Sequence, residues 1–125
     1  MKFTLDWLKD HLDTSADLTT ITETLTNIGL EIENVEDKSE EFKDFSVAKV
    51  IKAEKHPDAD KLKVCQVKTK SGEFQVVCGA PNVRQGMLGI FAPENSYIPG
   101  TELHLKKTKI RGVESCGMLV SEREM

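Results

Sequence analysis

Residues 55–67, KHPDADKLKVCQV, gather a histidine, two aspartates, three lysines and a cysteine around one proline. Three kinds of chemistry are open to such a stretch. The first is metal binding, for which His56, Asp58 and Asp60 offer nitrogen and oxygen donors. Ligands crowded into one turn need a further ligand from elsewhere and a supporting shell. The other histidines are His11, in an acidic segment, and His104, far along the chain. The second is nucleophilic catalysis by Cys78 in VVCGAPNV, which requires a base within reach. No sequence feature brings His56 to it, and a cysteine ending an apolar strand reads as packing. G-x-S-x-G, Walker and HExxH patterns are absent, so no catalytic and no metal residue is assigned. The third is a turn that presents lysines to an acidic partner. HLKKTKIRG, residues 104–112, carries Lys106, Lys107, Lys109 and Arg111 and no acid, and Lys55, Lys61, Lys63 and Arg84 are further cations. Cations on one face neutralise phosphates and release counterions, which is the chemistry of nucleic-acid backbones. Aromatic residues are few in this region (Phe45, Phe74, Phe91, Tyr97). That favours shape and backbone contacts over the stacking of single strands.

The elements that must hold these residues fall into two parts. Residues 1–44 hold four Lys/Arg against twelve Asp/Glu, net −8, and residues 45–125 hold thirteen against nine, net +4, summing to the −4 of the chain. In the first part Leu5, Leu8 and Leu12 share one helical face, with Thr4 as N-cap and Asp6 in the first turn. A second helix over Asp17 to Ile28 carries the stripe Leu18, Ile21, Leu25, Ile28 and stops at Gly29. Leu30, Ile32 and Val35 alternate with acids as a short strand, and DKSEEFKD, too polar to pack, marks a linker over 37–44. From Phe45 the period changes. FSVAKVIKAEKH alternates imperfectly, as a strand buried on much of both faces does. In KLKVCQVKT, Leu62, Val64 and Gln66 oppose Lys63, Cys65 and Val67. EFQVVCG follows across a turn at 71–72, and MLGIFA, a broken ELHLKKTKI and CGMLVSE complete a small all-β barrel or sandwich. The fold class is therefore α+β, a small helical segment with a short strand (1–44) followed by an all-β barrel (45–125). Three cysteines, Cys65, Cys78 and Cys116, with no CxxC pair, read as reduced thiols rather than a disulfide framework. No apolar run approaches the ~18 residues of a membrane span. The opening residues carry acids where a signal peptide is apolar, so the expectation is a cytoplasmic protein without a membrane.

HPDADKL leading into a strand, then VCGAPNVRQG, then KTKIRGVESCGML, in this order and spacing, resemble the tRNA-binding OB-fold domain of aminoacyl-tRNA synthetases. That domain also occurs as a free homodimeric protein, and the resemblance covers residues 45 to about 122. MKFTLDWLKDHL and NIGLEIENVE resemble the opening of the bacterial phenylalanyl-tRNA synthetase beta subunit, where two short helices and a strand precede the OB domain. The resemblance implies that the chain is the N-terminal part of a subunit several hundred residues long. Such a subunit pairs with a catalytic alpha subunit in an α2β2 enzyme that charges tRNA(Phe) with phenylalanine, using ATP and magnesium. The aminoacylation site then lies in the alpha subunit, and this chain itself carries no catalytic site and no cofactor.

On the OB pattern HPDADKL is the turn between the first two strands. Asp58 or Asp60 would accept backbone N–H bonds there, with Lys61 and Lys63 facing outward. Gly79 would turn the chain sharply before Pro81, and Gly112 and Gly117 would serve tight bends. The implied RNA-facing residues are Lys61, Asn82, Arg84, Lys109, Arg111 and Ser115, with a turn hydrogen bond standing beside an RNA contact as the reading for Asn82 and Ser115. Two other roles remain open: an assembly element of the synthetase with little tRNA contact, and a free homodimeric tRNA-binding protein.

Overall fold

The computed structural model describes residues 1–125 and divides into two compact units, Met1–Asp37 and Lys38–Met125. In the first unit, α1 spans Leu5–His11 and α2 spans Leu18–Asn27. Both start as their caps dictate. The Thr4 hydroxyl accepts the Trp7 N–H at 3.1 Å, and the Asp17 carboxylate accepts the Thr20 N–H at 2.8 Å. The end of α2 is a Schellman turn. The Leu30 N–H reaches the Leu25 carbonyl at 2.8 Å and the Gly29 N–H reaches Thr26 at 3.1 Å, with Gly29 at φ +97°. Leu18, Ile21 and Leu25 turn inward as the stripe requires, but Ile28, now the C-cap, is exposed. The strand expected at Leu30, Ile32 and Val35 does not form. No other segment of this unit offers a ladder, and the Ile32 N–H goes instead to the Thr26 hydroxyl at 3.4 Å. No helix is long and apolar enough to cross a membrane.

The second unit begins with turns over 39–44 rather than a bare linker. The Phe42 N–H bonds the Lys38 carbonyl at 3.1 Å, and the Phe42 and Phe45 rings meet at 5.5 Å. Five strands follow in one antiparallel sheet: β1 (Ser46–His56), β2 (Ala59–Thr69), β3 (Gly72–Cys78), β4 (Leu88–Pro93) and, last in the chain, β9 (Gly117–Val120), in the order β3-β2-β1-β4-β9. Between β4 and β9 come two hairpins, β5 (Tyr97–Ile98) with β6 (Leu103–His104), and β7 (Thr108–Ile110) with β8 (Val113–Ser115). The edges of the sheet are drawn together by the residues before β9. The Cys116 N–H donates to Gln75 O at 2.8 Å, the Gln75 amide donates to Glu114 O at 2.9 Å, and the Val77 N–H donates to Ser115 Oγ at 3.1 Å. The sheet is thereby curled into an OB-like half-barrel. Ala48, Val50, Cys65, Val67, Val76, Cys78, Val83 and Phe91 fill it. Gly117 lies against Phe91 at φ +136°, where a Cβ would come within 2.6 Å of the ring, so only glycine fits.

β1 is not buried on both faces. Val47 and Ile51 are exposed, while Ala48 and Val50 point into the core. The imperfect alternation has another cause. Val50 pairs with Val67 but Lys52 pairs with Gln66, so Ile51 is an extra residue, a β-bulge. A second irregularity follows, since Lys55 pairs with Lys63 and His56 with Ala59. The inward positions of β1 therefore run 48, 50, 53, 56, and the second step leaves Asp60, Lys61 and Leu62 of β2 without partners in β1.

Candidate nucleic-acid interface

His56 is buried at the two-residue turn Pro57–Asp58 between β1 and β2. Its Nδ1 accepts the Asp58 N–H at 3.1 Å, and its Nε2 lies 2.9 Å from the Ile110 carbonyl, which requires Nε2 to carry the proton and donate. Both ring nitrogens are thus occupied, and neither is free to ligate a metal or serve as a base. No three His, Cys, Asp or Glu side chains gather anywhere as a metal site. The turn bond expected of Asp58 or Asp60 is made by the imidazole instead, because a buried ring can reach its own turn and a strand 54 residues away at once. Cys65 is fully buried, and its thiol is pushed up to about 11, first by burial and then by the neighbouring Cys78, against a smaller opposing pull from Lys63. It stays a neutral packing group.

Of the cations expected to face outward, Lys63 does not. It is half-buried on the inward side of β2 with Cys65 and Val67, and its Nζ donates to Val83 O at 2.7 Å. It ties the loop after β3 to the barrel. Lys61 is exposed on the unpaired excursion of β2. The loop runs on through Asn82 and Arg84, both exposed, and rejoins the sheet where the Gly86 N–H bonds Val50 O at 2.7 Å. The Asn82 side chain does not brace this loop; its backbone carbonyl accepts a long 3.4 Å contact from Arg84 Nη1. Gly79 makes a close approach rather than a sharp turn, with its Cβ position 3.3 Å from Leu62.

Lys109 and Arg111 ride on the β7–β8 hairpin. Ile110 pairs with Val113, and the intervening Arg111 and Gly112 sit at φ +47° and +86°, a two-residue turn of the I′ kind. Arg111 thus stands at the tip in a left-handed conformation that costs a non-glycine residue about 1–2 kcal/mol. The bond from His56 to Ile110 anchors that tip beside the β1–β2 turn. Glu114 faces Lys109 across the ladder, but its carboxylate goes to Lys107 at 3.2 Å and raises the Lys107 pKa through that hydrogen bond. Lys61, Arg84, Lys106, Lys109 and Arg111 have no carboxylate partner. Ser115 stands apart: it is buried at 3% exposure, accepting from the Val77 N–H and donating to Gly117 O at 3.0 Å. Its hydroxyl laces the barrel seam and does not face outward.

The structure thus brings the β1–β2 turn, the Lys61 excursion, the anchored start of the 79–87 loop and the Arg111 tip to one end of the sheet, leaving four unpaired cations around it: Lys61, Arg84, Lys109 and Arg111. Sequence reasoning missed His56 as the clasp of this end and Gln75 as a clasp of the barrel seam, because their partners lie 54 and 39 residues away.

Residues 45–125 match the family described as "Putative tRNA binding domain". Over its whole length the chain is 58% identical to the phenylalanine–tRNA ligase beta subunit of Mesorhizobium japonicum and 52% identical to that of Ruegeria pomeroyi, spanning 16% of each, about a sixth of the length of these curated relatives. Among solved structures, a methionyl-tRNA-synthetase-related protein from Pyrococcus horikoshii is similar with TM-score 0.51 and 30% identity, over 70% of this chain and 76% of that one. A Naegleria gruberi RNA ligase shares the fold alone, at TM-score 0.53 and 15% identity over 66% of this chain and 28% of that one. With its matching residues forming the curled sheet and both hairpins, the chain belongs to the tRNA-binding-domain family.

Proposed function

We propose that this chain is the tRNA-binding portion of a phenylalanine–tRNA ligase beta subunit, with residues 45–125 as the RNA-binding domain and residues 1–44 as part of a larger beta-subunit domain. The observation that carries this reading is the likeness to beta subunits across the whole chain, including the first 44 residues that the domain family does not match. tRNA(Phe) is the expected RNA and the alpha subunit of an α2β2 enzyme the expected protein partner, in the cytoplasm. ATP and magnesium belong to the reaction of that enzyme. The acidic and histidine side chains of this chain do not fit a magnesium–nucleotide site, since His56 is engaged and no cluster assembles. The contact surface proposed is Lys61, Arg84, Lys109 and Arg111, with Asn82 on its rim, reading phosphates and shape.

The test is titration of the chain into labelled tRNA(Phe), an unrelated tRNA and a single-stranded RNA at two salt concentrations. Preference for folded tRNA, with affinity falling as salt rises, supports the reading, since each phosphate neutralised adds roughly 0.7–0.9 to the log–log salt slope. Lys109→Glu with Arg111→Glu should weaken binding and flatten that slope. An absence of binding at low salt would favour the second reading, an assembly element. That reading draws on the exposed Trp7, Leu12, Ile28, Leu30 and Val35 of the first unit, apolar side chains that a protein neighbour would cover. A free homodimer would sediment as a dimer.

A further inference from the structure

Apart from His56, the rings of the β unit fall into three pairs. Phe45 meets Phe42, and Phe74 stacks on Phe91 at 4.9 Å inside the barrel. The third pair, Tyr97 and His104, is outside. These residues are direct partners in the β5–β6 ladder, with ring centroids 4.9 Å apart and planes tilted by 46°, and both are exposed. Tyr97 is held outward by its neighbours. Ser96 and Ile98 on either side are fully buried, and alternation along a strand sends the residue between them to the opposite face. The hairpin is fastened at its base, where the Asn95 N–H bonds Leu105 O at 2.9 Å and the Leu105 N–H bonds Ser96 O at 2.8 Å. Neither the Tyr97 hydroxyl nor a His104 nitrogen is used within the chain. The pair is therefore a rigid, exposed aromatic surface with unused polar edges.

Its electrostatic setting points to an anion-bearing ligand. Lys106 lies two residues beyond His104, within about 7 Å by chain geometry, and has no carboxylate partner. From there the chain runs directly into the hairpin of Lys109 and Arg111. Glu102 lies in the turn on the other side, and Lys107 is taken up by Glu114 with Glu94 nearby, so the cations left without a carboxylate beyond the rings are Lys106, Lys109 and Arg111. A planar base on the Tyr97 ring would have its own phosphate near Lys106 and the next ones along Lys109 and Arg111. Stacking on aromatic rings combined with lysines along the backbone is how sequence-tolerant binding of unpaired nucleotides works. We infer that the Tyr97–His104 pair is a stacking platform for one unpaired nucleobase of bound RNA, with Lys106 on the adjoining phosphate. This rests on the RNA-binding reading above and adds to it a site for a single-stranded nucleotide, which backbone and shape contacts do not supply.

The chain has a single tyrosine, so tyrosine labelled with carbon-13 gives the ring signals of one residue, a δ and an ε pair, to follow by NMR. The probes are an RNA hairpin with an unpaired loop and a blunt RNA duplex, each added to the whole chain at low salt. The expected result is an upfield shift of the Tyr97 ring signal with the loop RNA and none with the duplex. Tyr97→Leu should lower affinity for the loop RNA about tenfold or more while leaving the duplex affinity unchanged, and Tyr97→Trp should retain both. If Tyr97→Leu unfolds, the ring signal of the unaltered chain decides alone. A ring signal that stays in place under saturating loop RNA, while backbone amides of Lys109 and Arg111 move, overturns the platform, leaves the RNA reading standing and assigns the rings to a protein neighbour. Failure of the unaltered chain to bind either RNA overturns the RNA reading and the platform with it.

Discussion

His56 and Ser115 each hold the barrel through a bond to a distant segment, and neither offers an atom to a partner. His56→Leu keeps the bulk of the ring but leaves the Ile110 carbonyl and the Asp58 N–H unpaired. Because a buried group left without its partner costs about 1–3 kcal/mol, the urea midpoint of the β unit should fall, and RNA affinity should fall too as the Arg111 tip loses its anchor. Ser115→Ala strips the Val77 N–H of its acceptor and should lower stability by a similar ~1–3 kcal/mol. It should leave RNA affinity intact wherever the domain remains folded; a selective loss of affinity would restore Ser115 to the contact surface. The exposure of Lys61, Arg84, Lys109 and Arg111 was legible in the sequence, because long charged side chains seek water unless something pairs them. Ser115 was not, because its burial depends on Val77, 38 residues away. Nor was Lys63, whose ammonium found a carbonyl at the barrel end.

Among the elements, the β7–β8 hairpin sets stability against function. Arg111 occupies a left-handed position that glycine fills without strain. Arg111→Gly should therefore raise the thermal midpoint or leave it unchanged, and at the same time weaken RNA binding. A midpoint that drops would mean that the guanidinium contributes to the fold. In α2, hydrogen bonding to Thr20, side chain first and backbone second, holds the Asp17 carboxyl below its ordinary 3.8. A carboxyl depressed in the folded state stabilises fully above its unfolded value and loses that contribution as pH falls through the lower folded one. Circular dichroism should accordingly show residues 18–27 losing helicity below about pH 3.8, a step absent from Asp17→Ala. Both helices, with the Thr4 cap and the glycine stop, were legible, since those signals are local; Asp17 and Ile28, read as helical ends, are the caps of α2 instead. The strand anticipated at 30–35 failed because a strand needs a partner that alternation cannot reveal. β5 and β8, at two and three residues, are too short to display a period at all.

At the scale of the whole chain, the two units have very different interiors. Ile21 is the one buried apolar residue of the first, whereas the second packs a continuous core. Amides of residues 18–27 should exchange with solvent far faster than those of β1, β2 and β3. Trp7 is the only tryptophan and Tyr97 the only tyrosine, one in each unit. Urea unfolding followed at the two rings should give non-coincident curves, the tryptophan transition first; coincident curves would mean that the units melt together. The barrel's outline was legible from its strand periods, but the bulge at Ile51 was not, because an extra residue looks like noise in an alternating pattern. That residue works as a phase shifter. It lets two outward residues in a row, Ile51 and Lys52, stand between Val50 and Ala53 while both of these keep facing the core and pair with Val67 and Cys65. A deletion at residue 51 should therefore take the kink out of β1 and yet leave Arg111, sixty residues away, on its anchor, as a spare link can be lifted from a chain without moving what it joins.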